Sequence, residues 1–129
     1  MARKNISSHS PYEDKIGFSR AVRIANTIAV SGTAPINPDG STAGIDDVYT
    51  QTMACLKIIE KAITGAGGSL HDVIRTRVML TDISRWQEAG RAHGEFFGDI
   101  KPACTFIEVK GLINKEWLVE IEADCVCEN

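Results

Sequence analysis

The stretch from Trp117 to Cys127 constrains this chain more than any other. Its side chains alternate. Trp117, Val119, Ile121, Ala123 and Cys125 fall on one side of an extended strand, and Leu118, Glu120, Glu122, Asp124 and Val126 on the other. The first set is apolar throughout and calls for a layer of helices against it. The second mixes two hydrophobes with three acids. Two readings of that face stay open. It is a solvated face with scattered charge, or a face covered by other copies of the chain, as closed homo-oligomers cover theirs.

The rest of the pattern fixes the fold class. Residues 1–15 are polar, with Ser7, Ser8, Ser10 and Pro11, and read as an N-terminal arm before a domain over 16–129. Gly17 to Ile24 and Thr27 to Thr33 read as two strands joined by a short hairpin turn. Two prolines, Asp39-Gly40 and Gly44 make a loop of residues 35–44. From Asp46 to about Ala66, Cys55, Ile59, Ala62, Ile63 and Ala66 recur at helical spacing, with Gly67-Gly68 as a stop. Val73 to Leu80 is a strand expected to turn Ile74, Thr76, Val78 and Leu80 one way and Val73, Arg75, Arg77 and Met79 the other. Ile83 to Phe97 is a second helix. Ala103 to Val109 is a strand with Cys104, Phe106 and Glu108 on one side. The order β-β-α-β-α-β-β describes a single α+β domain with helices over one face of the sheet.

Composition narrows the function. A chain of 129 residues can bury a core without staples. Its 14 Lys+Arg against 17 Asp+Glu give a net charge of −3, which offers no global field to nucleic acid or an anionic membrane. No apolar run approaches the ~20 residues of a membrane helix. Met-Ala-Arg-Lys-Asn at the start has no apolar stretch behind it and is not read as a secretory signal. Cys55, Cys104, Cys125 and Cys127 match no zinc spacing and read as reduced thiols of a cytoplasmic protein. His9, His71 and His93 are too dispersed for a metal site, and no metal is expected.

Three positions could carry chemistry. Glu120 lies mid-strand on the mixed face. Burial there would raise its pKa and suit it to proton transfer. An ion pair with Arg75, Arg77 or Lys110 is the plainer alternative. Cys104 follows Pro102-Ala103 where a strand begins, as a nucleophile or as a thiol that merely lines a pocket. Gly32, in Ser31-Gly32-Thr33, permits a ligand to approach the backbone, or marks a plain turn.

Four segments together resemble the Rid family, also known as the YjgF or liver perchloric-acid-soluble-protein endoribonuclease family. They are Asn26-Thr-Ile-Ala-Val-Ser-Gly-Thr33, Asp72-Val-Ile-Arg-Thr-Arg-Val-Met-Leu-Thr-Asp82, Pro102-Ala-Cys-Thr-Phe-Ile-Glu-Val109 and Val119-Glu-Ile-Glu-Ala-Asp124. Each is short, but their order and spacing run from about Gly17 to Val126. The resemblance implies a chorismate-mutase-like domain in a homotrimer, with a central β-barrel and clefts between adjacent subunits. It implies hydrolysis of reactive enamines and imines to a keto acid and ammonia, with no cofactor. The family's water-positioning glutamate falls on Glu120, its aromatic cleft residue on Phe18 and its cleft glycine on Gly32. Phe106 would line the cleft as well.

One position departs from that pattern. The deaminating members carry an arginine for the substrate carboxylate where this chain has Cys104, so the chain resembles the divergent subgroups that lack it. Loss of a bidentate charge-assisted contact costs about 2–5 kcal/mol of binding. Arg20 and Arg77 are the candidate substitute cations. The expected function is therefore a Rid-type hydrolase of small imines or enamines. The alternatives are a non-catalytic trimer that binds a small metabolite and, weakest given the charge, an endoribonuclease or translation inhibitor.

Overall fold

The computed structural model describes residues 2–128; Met1 and Asn129, the outer ends of the expected arm and domain, lie outside the described residues. In chain order the elements are β1 (Arg3–Ile6), α1 (Pro11–Ile16), β2 (Ala21–Ile24), β3 (Thr27–Thr33), α2 (Val48–Gly65), β4 (Val73–Leu80), α3 (Trp86–Phe97), β5 (Ala103–Glu108) and β6 (Val119–Val126). Single 3-10 turns at Leu70–Asp72 and Ile83–Arg85 lead into β4 and α3.

One six-stranded sheet runs β1-β2-β3-β6-β4-β5. All its pairings are antiparallel except β4 with β5, which are parallel and joined through α3. Alternation in β6 holds as expected. Val119, Ile121, Ala123 and Cys125 are all buried, under α2, and Trp117, just before the strand, is buried as well. The helix begins at Val48 because the Asp47 carboxylate accepts from the Thr50 amide (3.0 Å) and hydroxyl (2.8 Å). Its inward stripe is Val48, Gln51, Thr52, Cys55, Leu56, Ile59, Ala62 and Ile63. Gln51 is buried yet satisfied. Its amide nitrogen donates to Gly44 O and Glu116 O, and its oxygen accepts from Leu118 N at 2.8 Å, which pins the helix to the entry of β6.

Two expectations need correction. The first concerns β4, where a bulge between Val73 and Arg75 shifts the register against β6. Val73 therefore joins Thr76, Val78 and Leu80 inside, while Ile74 turns out and is 52% exposed. The second is the arm, whose residues 3–6 and 11–16 are a strand and a helix. β1 adds to the edge of β2. Ser10 caps α1, the Glu13 carboxylate closes a capping box, and Gly17 ends the helix in the left-handed region at φ 92°. Glu13 is buried and accepts from Ser8 N (3.0 Å), Ser8 Oγ (2.8 Å) and Ser10 N (3.3 Å). Burial pushes its carboxyl up, but these hydrogen bonds outweigh that and hold it below the usual carboxylate range. The first sheet strand after the arm consequently starts at Ala21 rather than Gly17.

Candidate functional site

The site begins with an irregularity in β3. Val30 pairs with Ala123 and Thr33 with Ile121, so a three-residue step on β3 opposes a two-residue step on β6. The extra residue falls in Ser31-Gly32, and the ladder opens there. Glu120 rises from β6 into the opening. A Cβ on Gly32 would overlap Glu120 Oε1 and lie 3.3 Å from its Cδ, so glycine is what leaves room for this carboxylate. Glu120 is half-buried. Burial raises its pKa above the ordinary 4.5, Arg20 pulls it down, and Glu122 pushes it up, with a net rise.

These residues floor a cleft of about 230 Å³. Phe18, Arg20, Ser31, Gly32 and Glu120 line it together. Its rim is built by α1 and two loops, with Tyr12, Ile16, Ile36, Ile113 and Trp117. Tyr12 meets the Trp117 ring edge-on, with centroids 5.8 Å apart. The α1 side of this wall escaped the sequence reading. The signal was present: Ser10-Pro11-Tyr12-Glu13 is a capping box with proline in the first turn.

Arg20 is 5% exposed. Its Nε donates to Ser8 Oγ (3.1 Å), and its Nη1 donates to Gly32 O (2.7 Å) and Thr33 Oγ1 (3.1 Å). The guanidinium carbon sits 5.3 Å from the Phe18 ring centroid. Arg20 thus ties the arm, β2 and the bulge of β3 together beside Glu120.

The other sequence candidates lie elsewhere in the chain. Arg77 is on the open face of the sheet, bonded to Glu122 Oε1 (3.0 Å) and Asp124 Oδ2 (3.3 Å). Cys104 and Phe106 project from β5 toward α3. Cys104 Sγ lies 3.8 Å from His93 Nε2, and Phe106 meets the His93 ring edge-on at 6.0 Å. His93 Nε2 also sits 2.8 Å from Thr76 Oγ1. Burial holds the His93 pKa below 6.5. The chain therefore brings Glu120, Gly32, Phe18 and Arg20 into one cleft and places Cys104 with Phe106 in a second cluster around His93. Among the described residues no group of three or more His, Cys, Asp or Glu could hold a metal ion. No helix among them is long and apolar enough to cross a membrane.

Comparison with known proteins gives this geometry its setting. The profile of the family described as Endoribonuclease L-PSP matches residues 9–127. A crystal structure of a YjgF/YER057c/UK114 family member from Mycobacterium tuberculosis superposes with a TM-score of 0.88 at 44% identity, over 97% of this chain and 99% of that one. An uncharacterized protein of Streptomyces coelicolor is 35% identical over 95% of this chain and 91% of its own length. The 3-aminoacrylate deaminase RutC of Acinetobacter baylyi is 30% identical over 78% of this chain and 79% of its own length. Matched over nearly its whole length, the chain belongs to the Rid (YjgF, endoribonuclease L-PSP) family.

Proposed function

We propose that the protein is a hydrolase of small imines and enamines, with Glu120 as its proton-transfer group. Water adds across the C=N bond, the carbinolamine collapses, and the products are a carbonyl compound and ammonia. An enamine must first take a proton on carbon to reach the imine level. A carboxyl with a raised pKa serves both stages, giving that proton and then accepting one from the attacking water. The observation that carries this reading is the half-buried Glu120, pKa raised, held against Gly32 in a cleft. The kinship to a 3-aminoacrylate deaminase supports the same class. No step calls for a cofactor.

The working unit in this proposal is a homotrimer with the open sheet face turned inward as a barrel. Ile74 (52% exposed), Ile107 (50% exposed) and Val126 on that face support burial against other copies. Cys104 and Phe106, remote from their own chain's cleft, would then reach the cleft of a neighbouring copy. Four free thiols suit a reducing, cytoplasmic compartment.

The test is ammonia release from imines generated in situ by an L-amino acid oxidase. Wild-type protein is expected to accelerate release by about 10²–10⁴-fold over Glu120→Ala, the range for a positioned acid–base group. Equal rates for the two proteins overturn the proposal. Thermal stabilisation by a small metabolite without turnover would instead establish the non-catalytic reading.

A further inference from the structure

The β4-α3-β5 unit gathers three polar side chains away from the cleft of their own chain. Thr76 and Cys104 are opposed in the parallel ladder, and His93 reaches both from the helix that joins those strands. Cys104 Sγ lies 3.8 Å from His93 Nε2, and Thr76 Oγ1 lies 2.8 Å from the same nitrogen. Two aromatic rings flank the imidazole. Phe97 is tilted against it with centroids 4.7 Å apart, and Phe106 meets it edge-on at 6.0 Å. Burial alone lowers the His93 pKa below 6.5, and no charged side chain adds to that shift. The ring is therefore uncharged near neutral pH, and an uncharged imidazole is a competent base.

Cys104 differs from the other thiols in both access and company. Cys55, Cys125 and Cys127 are buried, and burial pushes each of them up, Cys125 to about 12. Thiols of that kind stay protonated and inert. Cys104 is exposed on β5, an edge strand of the sheet, with an imidazole nitrogen beside it. The lone pair of that nitrogen is contested. Thr76 is fully buried and its hydroxyl needs an acceptor, so Thr76 and the thiol compete for Nε2.

We propose that Cys104 and His93 are a nucleophile and its base, and that they capture small uncharged α,β-unsaturated carbonyl compounds as covalent adducts. His93 Nε2 takes the thiol proton, and Sγ attacks the β-carbon of the acceptor. The S–C bond forms as the C=C π bond opens toward the carbonyl. The resulting enolate takes the proton back from Nε2 at its α-carbon. Nothing is oxidised, reduced or expelled, and the product is a thioether beside a neutral imidazole. The acceptor is uncharged because the aromatic walls and the neutral base offer a charged group no partner. Thr76 tempers the pair by holding the lone pair at rest. This goes beyond the imine hydrolase reading, and neither Glu120 nor its cleft enters it.

The probes are N-ethylmaleimide and its anionic analogue maleimidoacetic acid, with adduct formation followed by intact-protein and peptide mass spectrometry near neutral pH. Each rate is divided by that of N-acetylcysteinamide with the same maleimide. Wild-type protein should take one adduct per chain, at Cys104. Its relative rate with N-ethylmaleimide should be at least about tenfold above that of the model thiol, a modest share of what a positioned base supplies. The relative rate with the anionic maleimide should be severalfold lower. His93→Gln keeps an acceptor for Thr76 but no base, and should bring the rate down to that of the model thiol. Thr76→Val should move it the other way, and these opposite responses separate a lost base from a loosened fold. A wild-type rate no higher than the model thiol's overturns the pair, as does an unchanged rate in His93→Gln. Equal relative rates for the two maleimides remove the preference for uncharged acceptors. None of these readouts involves ammonia, so their failure leaves the hydrolase proposal where it stood.

Discussion

Gly32 and Glu120 occupy complementary space: the missing Cβ of one is filled by the carboxylate of the other. The obstructing atoms belong to the far end of a flexible side chain, and Gly32 needs no left-handed backbone. Gly32→Ala should therefore displace the carboxylate rather than unfold the chain. Urea denaturation should show a change within about 1 kcal/mol. Ammonia release should fall at least about tenfold, since a misplaced group of this kind costs that much or more.

Glu120 also leaves a mark on the pH dependence of stability. Its folded pKa lies above 4.5, so the folded state keeps the proton longer than the unfolded chain does. The associated stability is complete below pH 4.5 and is lost as pH rises through the folded value. Glu120→Gln removes this slope. Urea midpoints against pH should show the variant gaining on wild type across that interval and holding the gain above it. Arg20 and Glu122 face the same group, so Glu122→Gln should lower the Glu120 pKa and move the interval down.

His93 behaves with the opposite sign. Burial lowers its pKa below 6.5, so its contribution is present above pH 6.5 and is lost as pH falls through the folded value. Thr76 is fully buried, and His93 is its hydroxyl's one side-chain partner among the described residues, so we assign the hydroxyl proton to Nε2 and the ring proton to Nδ1. Thr76→Val keeps the shape and removes the bond. It should cost about 1–2 kcal/mol in urea denaturation at pH 8, and it should make Cys104 react faster with a thiol probe by freeing the Nε2 lone pair beside Sγ.

The arm is a structural part of the cleft. Glu13→Gln weakens the acceptor of three hydrogen bonds and loosens Ser8, which holds Arg20 Nε. A loss of about 1–3 kcal/mol is expected at neutral pH. In wild type the Glu13 contribution is present above pH 4.5 and is lost as pH falls below it, because its carboxyl is held down. Limited proteolysis should cut the variant first within residues 7–10.

Sedimentation checks the proposed trimer. Wild-type protein should run as three 14.0 kDa chains, and Ile74→Asp should reduce it toward one, because Ile74 reaches the open face only through the β4 bulge. A monomeric wild type would remove the trimer.

What the sequence showed and hid follows from range. The alternation of β6 and the stripe of α2 were legible because each is a regular period read against a single apolar layer. The β4 bulge was not, since one extra residue leaves composition unchanged and inverts only Val73 and Ile74. Glu120 and Gly32 could be named singly, whereas their contact depends on a second bulge between strands far apart in the chain. Polar composition disguised α1, although its capping box is written in Ser10 and Glu13. Cys104 and Glu120 fell on separate clusters because β5 and β6 present those side chains to opposite faces of the sheet.

The place of β6 in the sheet has a consequence for how the molecule comes to exist. It lies between β3 and β4, in the interior, yet it is translated after every other strand. Until it emerges from the ribosome, β1-β2-β3 and β4-β5 are two unjoined half-sheets, each with an open edge that invites foreign strands. The nascent chain cannot close its core early. It stays dependent on protection through most of its synthesis, and Glu120 arrives on the strand that ends that exposure.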